Sequence, residues 1–184
     1  HLTSMHSMDN YYVSKLLPLM REAQPHAVAN PLINITLQGR HDTYPKRRGM
    51  TRVPELMAAG VNVAFGHDCV MDPWYSLGSG DMLEVAHMGL HVAQMTSQAG
   101  MRACFDAVTV NSARVLGLEG YGVDVGCRAD FVLLQARDPV EAIRLRAQRL
   151  LVVRRGRVVA EAPASTAALN LPGRPRTVDW TLRR

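Results

Sequence analysis

Apolar and polar positions along the chain follow two different periods, which predicts a mixed α/β protein. Residues Tyr11–Ala23 carry apolar side chains about every 3.6 residues and predict a helix, in which Pro18 marks a kink or a late start. Two short apolar runs, His26–Asn30 and Val61–Phe65, are typical of buried strands. The polar stretch Pro31–Met50 between them is too long for a simple connector and predicts a functional loop.

Three more helices are predicted before and after the second apolar run. The first covers Pro54–Ala59, with Thr51 as its N-cap. The other two cover Asp81–Ser97 and Met101–Leu116, because each segment carries apolar residues along one helical face. The order of elements up to this point is therefore helix, strand, helix, strand and two helices.

From Gly117 onward the pattern changes to glycine-rich turns and short strand-like segments. The elements predicted here are a strand at Ala129–Leu134, a helix at Val140–Leu145, and two strands at 150–156 and 157–161 that turn at Arg155 and Gly156. After residue 163 the periodicity is weak, so residues 164–184 are expected to form an irregular tail or an extended edge segment. Three regions follow from these changes: 1–116, 117–163 and 164–184.

The length and composition describe an ordinary globular chain of 184 residues, 47% of them hydrophobic. This is enough for one domain and too little for a large barrel enzyme with an accessory domain. Because the sequence opens on His1 instead of a methionine, we expect the chain to be a fragment. Its first residues show no secretory signal, and no stretch approaches the roughly 18 apolar residues of a membrane span. The three cysteines lack CxxC spacing, and we expect a cytoplasmic protein.

The formal net charge of +5 at pH 7 raises the question of nucleic-acid binding. Most of the arginines fall late in the chain, on both sides of a strand and in the tail, and no nucleic-acid recognition motif accompanies them. This distribution is typical of a solvated surface. We therefore expect neither a nucleic-acid partner nor a membrane partner.

Candidate chemistry is concentrated where the apolar run Val61–Phe65 ends. In parallel α/β folds, functional residues stand at the carboxyl ends of strands and in the loops that follow. Asp68 lies in this position, directly after Gly66 and His67. An aspartate here has four possible roles, as a helix N-cap, a turn residue, a metal ligand or a general base, and the spacing does not choose between them.

Two other patterns give weaker signals. His87 and His91 are four residues apart on a predicted helix, but Met88 stands where a HExxH metalloprotease has its glutamate, so a metal role is disfavoured. Gly78 and Gly80 are not followed by the lysine of a P-loop. A flexible active-site loop is the favoured interpretation of these glycines.

Several segments together resemble the cytosine deaminase family of the amidohydrolase superfamily. The most specific is LQGRHDTYPKRRGMTRV at 37–53, accompanied by GHDCVMDPWY at 66–75 and MLEVAHMGLHVAQM at 82–95. The resemblance extends over nearly all of residues 2–160. It implies an α/β fold, namely the C-terminal part of a (β/α)8 TIM-like metallohydrolase barrel with the end of strand six and strands seven and eight. Residues 1–116 would form this barrel part, 117–163 a portion of a small β-rich domain, and 164–184 a tail or edge segment.

The resemblance also implies a site that holds one divalent metal ion, iron or zinc. Asp68 matches the metal ligand after strand eight, which also accepts a proton from the attacking water. His1 matches the histidine after strand six, which helps to stabilise the charge that develops during attack. The family's other metal ligands and its proton-shuttling acid have no match in these 184 residues, so the chain alone is expected to be inactive.

The implied reaction is the hydrolytic deamination of a small, cytosine-like nitrogen heterocycle with release of ammonia. Trp74 and Met71 match the apolar wall against which the substrate ring packs. Cys69 stands where close family members carry a second aspartate, which leaves isocytosine, creatinine-like rings and triazines as alternative substrates. Hydrolysis of another cyclic or N-substituted amidine or amide is the second functional possibility, and a non-catalytic interaction module is a remote third. The full-length protein is expected to be a homo-oligomer.

Overall fold

A computed structural model of the chain describes residues 1–178, which form a mixed α/β structure as predicted. A short 3₁₀ helix at Thr3–Ser7 precedes the first α-helix. The helices are α1 (Asn10–Ala23), α2 (Pro31–Leu37), α3 (Val53–Ala58), α4 (Met82–Val92), α5 (Gln98–Ala107), α6 (Val110–Val115) and α7 (Pro139–Leu145). The strands are β1 (His26–Ala29), β2 (Asn62–Phe65), β3 (Phe131–Leu134), β4 (Arg149–Arg154) and β5 (Arg157–Glu161).

The first sheet consists of β1 and β2, which pair in parallel with Ala29 opposite Phe65. The ladder continues for one residue beyond the strands, because the amide of Gly66 donates to the Ala29 carbonyl at 2.9 Å. Both strands are nearly inaccessible to solvent on their inner positions. Their carboxyl ends therefore lie side by side, and the segments that follow them are brought together.

Helix α4 packs closely on β2. The Phe65 ring lies against Gly89 of α4, where an added Cβ would stand 2.4 Å from the ring. Leu56, Val85 and Ile143 are also fully buried in the same core. Because protein interiors are close-packed, this arrangement fixes where the end of β2 lies.

The second sheet is antiparallel, in the order β3, β4, β5. The turn between β4 and β5 consists of Arg155 and Gly156, whose φ angles are +49° and +73°. Two consecutive positive φ angles are typical of the turn that matches strand twist in a two-residue hairpin, so the predicted turn is confirmed. Arg149 on β4 forms an ion pair with Asp81 at the start of α4, with an Nη2–Oδ1 distance of 2.5 Å.

The stretch predicted as a loop from Pro31 to Met50 begins with helix α2, so that part of the prediction is wrong. Pro31 is the first helical residue, a position at which a missing amide hydrogen costs nothing and the fixed φ favours the helix. The predicted N-cap of the next helix is also wrong. Arg52 precedes α3, and the Thr51 hydroxyl instead donates to the carbonyl of His1.

The segment predicted as one helix from Met101 to Leu116 is two helices, α5 and α6. Helix α5 begins earlier, at Gln98, because the Ser97 side chain accepts a hydrogen bond from the amide of Gly100. The break at Val108 and Thr109 coincides with a run of β-branched residues, and the Thr109 hydroxyl donates to the Phe105 carbonyl at 2.8 Å.

Two helices differ from prediction at their ends. Helix α1 begins at Asn10, where Asp9 caps it, and runs through Pro18, so a late start is wrong. Helix α4 ends at Val92 rather than Ser97, since Gln94 takes a left-handed conformation with a φ of +56°.

Of the predicted tail, residues 164–178 are described and contain one isolated bridge between Ala168 and Thr177. Residues 179–184 lie outside the described part of the chain. Among residues 1–178, no helix has the length and apolar character needed to span a membrane.

Candidate functional site

The candidate site lies at the carboxyl ends of β1 and β2. Asn30 directly follows β1, and Asp68 follows β2 after two residues. The first residue of the chain, His1, lies beside both. The structure thus brings together the two catalytic residues that the resemblance indicated, His1 and Asp68.

Asp68 is held in a rare backbone conformation, with a φ of +66°. Aspartate is one of the few residues apart from glycine that adopt this left-handed region with some frequency. Its Oδ2 atom lies 3.4 Å from Nε2 of His1, and the two side chains are 34% and 45% exposed. A carboxylate and an imidazole therefore face each other at an accessible edge of the parallel sheet.

His1 is held by three buried polar residues that the sequence analysis did not identify as part of a site. Nδ2 of Asn34 lies 2.8 Å from Nδ1 of His1, and Nδ2 of Asn30 lies 3.2 Å from Nε2 and 3.3 Å from Nδ1. Asn30, Asn34 and Thr51 are only 6%, 3% and 2% exposed. Buried polar groups need hydrogen-bond partners, and here they find them in His1 and in each other.

One of these residues had a signal in the sequence. Asn30 is a polar residue at the carboxyl end of a predicted strand, which is the position expected for a functional group. Asn34 had none, because it lies one turn into α2, where the sequence predicted a loop.

Gly66 is needed for the two strand ends to approach. A Cβ added at Gly66 would lie 2.4 Å from Oδ1 of Asn30, much closer than two such atoms can approach. The absence of a side chain therefore lets the Asn30 amide fit between the strand ends and reach His1.

His67 holds the loop that begins at Asp68. Its Nδ1–H donates to the carbonyl of Cys69 at 2.9 Å, and its ring packs edge-on against Tyr75 with 6.3 Å between ring centroids. The ring is 8% exposed, and Nε2 is buried without a hydrogen-bond partner among residues 1–178. Gly78 is tightly packed against the same ring, because its added Cβ would lie 2.4 Å from Cε1.

Cys69, a predicted substrate-binding residue, has a neutral thiol at physiological pH. A hydrogen bond to Asp72, burial and the neighbouring carboxylates raise the pKa of this thiol to about 11. Asp72 itself closes the loop, because its Oδ1 accepts hydrogen bonds from the amides of Trp74 and Tyr75, each at 2.9 Å.

Met71 and Trp74, the other predicted substrate-binding residues, lie on the exposed side of this loop. The side chains of Met71 and Trp74 are 78% and 68% exposed, whereas the adjacent Tyr75 is 6% exposed and belongs to the core. Met71 also has a positive φ of +49°. The structure leaves both side chains free of the buried network around His1.

The described residues could supply one ligand of a metal site, Asp68, but not a complete set of ligands. A catalytic metal ion usually has at least three protein ligands, and among residues 1–178 no group of three or more His, Cys, Asp or Glu side chains is placed to hold one. The Asp68 carboxylate is a suitable ligand for a divalent ion and is accessible. Further ligands would have to come from outside the described residues.

The second histidine pair has a different environment. The rings of His87 and His91 are 4.6 Å apart, and their Nδ1 atoms donate to the carbonyls of Ile143 and His87 at 3.2 and 2.7 Å. Burial lowers the pKa of His87, against a weaker opposing effect of its hydrogen bond to Ile143. The His87–Ile143 hydrogen bond joins α4 to α7, which favours a packing role for this pair.

The solved structures to which this chain is similar include a deaminase and an aminohydrolase. The chain is 40% identical to the 5-methylcytosine deaminase of Klebsiella pneumoniae, whose structure was solved with 5-fluorocytosine, with a TM-score of 0.88 over 95% of this chain and 42% of that one. It is 30% identical to N-isopropylammelide isopropylaminohydrolase from Burkholderia multivorans, with a TM-score of 0.73 over 85% of this chain and 37% of that one.

Among curated proteins, the pterin deaminase of Rhizobium rhizogenes is 32% identical over 161 residues, which is 86% of this chain and 36% of that protein. The chain therefore spans about a third of the length of this relative. A family model described as the amidohydrolase family matches residues 1–160. These 160 residues include the His1–Asp68 pair and most of the described fold, and the chain belongs to the amidohydrolase family.

Proposed function

We propose that this chain supplies part of the active site of a metal-dependent hydrolase that deaminates a small, cytosine-like nitrogen heterocycle. In this proposal β1 and β2 are strands seven and eight of a (β/α)8 barrel. Residues 1–116 then belong to the barrel and 117–163 to a small β-rich domain. The activity belongs to the full-length protein, with the remaining metal ligands outside this chain.

The observation that carries the proposal is the pairing of Asp68 with His1. The structure places an accessible carboxylate 3.4 Å from an imidazole at the carboxyl ends of two parallel strands, which is where α/β enzymes carry their reacting groups. The left-handed backbone at Asp68 and the buried polar residues around His1 hold this pair in place. An unusual backbone conformation that is held by surrounding residues is typical of a functional site.

Asp68 is the proposed metal ligand in this chain. When bound there, a divalent ion, iron or zinc, would lower the pKa of a water molecule from about 15.7 to about 7 and so supply a nucleophile at neutral pH. The Asp68 carboxylate would also accept the proton of the attacking water and pass it to the amino group that leaves as ammonia. His1 lies within reach of the same position and stabilises negative charge that develops on the substrate.

The loop from Cys69 to Trp74 is the proposed substrate contact. Trp74 and Met71 are exposed apolar side chains, and the indole offers a flat surface for a heterocyclic ring. The Cys69 thiol is neutral at pH 7, because its pKa is raised to about 11. A substrate group at Cys69 therefore meets a weak hydrogen-bond partner without charge, which disfavours a substrate that needs a carboxylate there.

Hydrolysis of an N-substituted triazine is the second candidate function. The neutral Cys69 favours it, together with the similarity to N-isopropylammelide isopropylaminohydrolase. In this reaction the leaving group is an alkylamine instead of ammonia, and the roles of Asp68 and His1 are unchanged.

The test is the release of ammonia or amine by the full-length, metal-loaded protein from a panel of heterocycles. The panel consists of cytosine, 5-methylcytosine, isocytosine, creatinine, pterin and N-isopropylammelide. We expect hydrolysis of at least one of them, and we expect Asp68→Asn to lower kcat/KM by about a thousandfold or more. The exposed helical residue Asp106 provides the matched control, and Asp106→Asn should leave the rate unchanged. Inactivity on the whole panel, or full activity of Asp68→Asn, would contradict the proposal.

A further inference from the structure

The imidazole of His1 has a polar neighbour at each of its ring nitrogens. Nδ1 faces the Asn34 amide at 2.8 Å, and Nε2 faces the Asp68 carboxylate at 3.4 Å. A neutral imidazole carries its proton on only one nitrogen, which then donates a hydrogen bond, while the other nitrogen accepts one. The neighbours therefore decide which nitrogen carries the proton.

The orientation of the Asn34 amide is fixed by a second hydrogen bond. Its Oδ1 accepts from the backbone amide of Asn30 at 3.1 Å, and the residue is 3% exposed. Rotating the amide by 180° would place its NH2 group against the N–H of Asn30, two donors facing each other in a buried site. The NH2 group of Asn34 must therefore point to His1.

An NH2 group only donates hydrogen bonds, so Nδ1 of His1 must carry a lone pair. The proton then resides on Nε2, which faces Asp68, and an ionised carboxylate only accepts hydrogen bonds. Asn30 does not compete in this choice, because its Nδ2 lies almost equally far from the two ring nitrogens, at 3.2 and 3.3 Å. Two independent neighbours thus favour the same tautomer.

We propose that Asn34 is a positioning residue that holds His1 as the Nε2–H tautomer. His1 then presents an N–H group to Asp68 and to whatever binds beside it. This makes His1 a hydrogen-bond donor to an oxygen or nitrogen acceptor and excludes Nε2 as a metal ligand, since a ligating nitrogen needs a free lone pair. The consequence for catalysis rests on the proposed function, whereas the tautomer itself does not.

The variant Asn34→Asp tests this with almost no change in shape. A carboxylate still accepts from the amide of Asn30, but it can no longer donate to Nδ1 of His1. It instead favours a proton on Nδ1. Asn62 offers a matched control, because its Nδ2 lies 3.0 Å from Nδ1 of His26 at the opposite end of the strands. Asn62→Asp makes the same chemical change beside a different histidine.

The measurement is the ring nitrogen NMR spectrum of the full-length protein labelled with ¹⁵N-histidine, in which protonated and bare ring nitrogens have well-separated shifts. The His1 signals are assigned by their loss in His1→Gln. We expect a protonated Nε2 and a bare Nδ1 in the unaltered protein and in Asn62→Asp, and a protonated Nδ1 in Asn34→Asp. A bare Nε2 in the unaltered protein would overturn the proposal even if Asn34→Asp failed to fold. An unchanged His1 spectrum in a folded Asn34→Asp protein would overturn it too.

The kinetic expectation is separate from the spectroscopic one. In Asn34→Asp we expect kcat to fall about tenfold or more, with a smaller change in KM, because the group that meets developing charge is altered. If the tautomer is as expected and the protein hydrolyses none of the heterocycles, the proposed function fails while the role of Asn34 stands. If hydrolysis occurs and the tautomer is the opposite one, only the role of Asn34 fails.

Discussion

At the scale of single residues, the site depends on a backbone conformation that few side chains tolerate. Asp68 has a φ of +66°, where a residue with an ordinary Cβ is strained by roughly 1–2 kcal/mol. Aspartate and asparagine reach this region more readily than alanine, because their short polar side chains bond locally to the backbone. The choice of residue at this position therefore affects both folding and chemistry.

The two effects are separated by comparing Asp68→Asn with Asp68→Ala in the metal-free, full-length protein. We expect Asp68→Asn to unfold close to the temperature of the unaltered protein, and Asp68→Ala to be less stable by about 1 kcal/mol. Thermal unfolding followed by circular dichroism measures the difference. Asp68→Gly should recover the loss, since glycine adopts positive φ freely. Equal stability of the alanine and asparagine variants would contradict a strained backbone at Asp68.

Gly66 provides a second prediction, which concerns steric fit. Gly66→Ala places a methyl group 2.4 Å from Oδ1 of Asn30, so Asn30 must move, and we expect a loss of about 1–3 kcal/mol in the free energy of unfolding. In the double variant with Asn30→Ala the clashing atom is gone, so the two losses should not add. Denaturant unfolding of the four proteins measures this coupling. Additive losses would show that the clash is relieved without moving Asn30.

The sequence predicted part of this residue-scale detail. His1, Asp68, Cys69, Met71 and Trp74 were identified by resemblance to a family, and spacing alone left four roles open for Asp68. The buried asparagines were missed because their role depends on contacts across 29 and 33 residues of the chain, between His1 and Asn30 or Asn34. Such long-range hydrogen bonds leave no local periodicity that a sequence pattern could reveal.

At the scale of elements, the start of α4 joins the two sheets. Asp81 caps the helix by accepting from the amide of Leu83 at 2.7 Å, and it also forms the ion pair with Arg149 of β4. One carboxylate thus begins a helix and holds the antiparallel sheet against it. The side chains are 28% and 37% exposed, so solvent weakens the ion pair.

Two substitutions separate the roles of Asp81. Asp81→Asn keeps a good capping residue and loses the ion pair, which should cost about 0.5–1 kcal/mol. Asp81→Ala loses both, which should cost about 1 kcal/mol more.

The hydrogen bond to Arg149 lowers the pKa of Asp81 below its ordinary value of 3.8. The stabilisation is therefore fully present above about pH 4 and is lost as the pH falls through the lowered pKa.

The check is the free energy of unfolding of the unaltered protein and Asp81→Asn, measured at neutral and at acidic pH. The difference between them should shrink at the acidic pH, and Arg149→Gln should show the same trend. A difference that does not depend on pH would show that the Asp81 charge contributes nothing to stability.

Helix and strand positions were predicted correctly where the hydrophobic periodicity was strong. They were missed where the boundary of an element depended on one or two residues. The strands at β1, β2 and β3 and the hairpin at Arg155 and Gly156 are confirmed within one or two residues. Helix α2 was missed, because Pro31 was interpreted as ending a strand and not as beginning a helix. The break after α5 was missed, since Val108 and Thr109 are compatible with a helix that simply continues.

The segment at 37–53, which carried most of the resemblance in the sequence analysis, has a structural explanation at this scale. Asp42 accepts two hydrogen bonds from the Arg47 side chain, both at 2.7 Å, and one from the Arg47 amide. These bonds lower the pKa of Asp42 to about 2. Gly39 has a positive φ and is packed against both residues. The motif therefore builds a folded loop, which ends at the Thr51 hydroxyl that holds His1.

At the scale of the whole molecule, the family could be predicted from the sequence because its motifs lie in segments with unusual backbone angles or close contacts, such as those at Gly39, Gly66 and Asp68. A mixed α/β architecture was predicted from periodicity, and membership of the amidohydrolase family is confirmed by the match over residues 1–160. The barrel assignment is still a proposal, since the parallel sheet within residues 1–178 has two strands. Closure of a barrel depends on strands that these residues do not contain.

The last prediction concerns the 184-residue chain expressed by itself. Among the described residues, β1 and β2 pair only with each other, so each strand has one edge without a neighbouring strand. Several apolar side chains of the second sheet are also exposed, including Phe131, Val132 and Val159. Exposed edges and apolar surface promote association. We therefore expect the isolated chain to form oligomers or aggregates and to bind a hydrophobic dye.

Size-exclusion chromatography with light scattering measures this association, and the full-length protein is the comparison. Charged substitutions on the exposed sheet, Val132→Lys and Val159→Lys, should reduce dye binding by the isolated chain. They should not abolish association, because the strand edges of β1 and β2 remain. If these two substitutions alone made the chain monomeric, the apolar sheet and not the open edges would cause the association. A monomeric isolated chain without dye binding would contradict both causes.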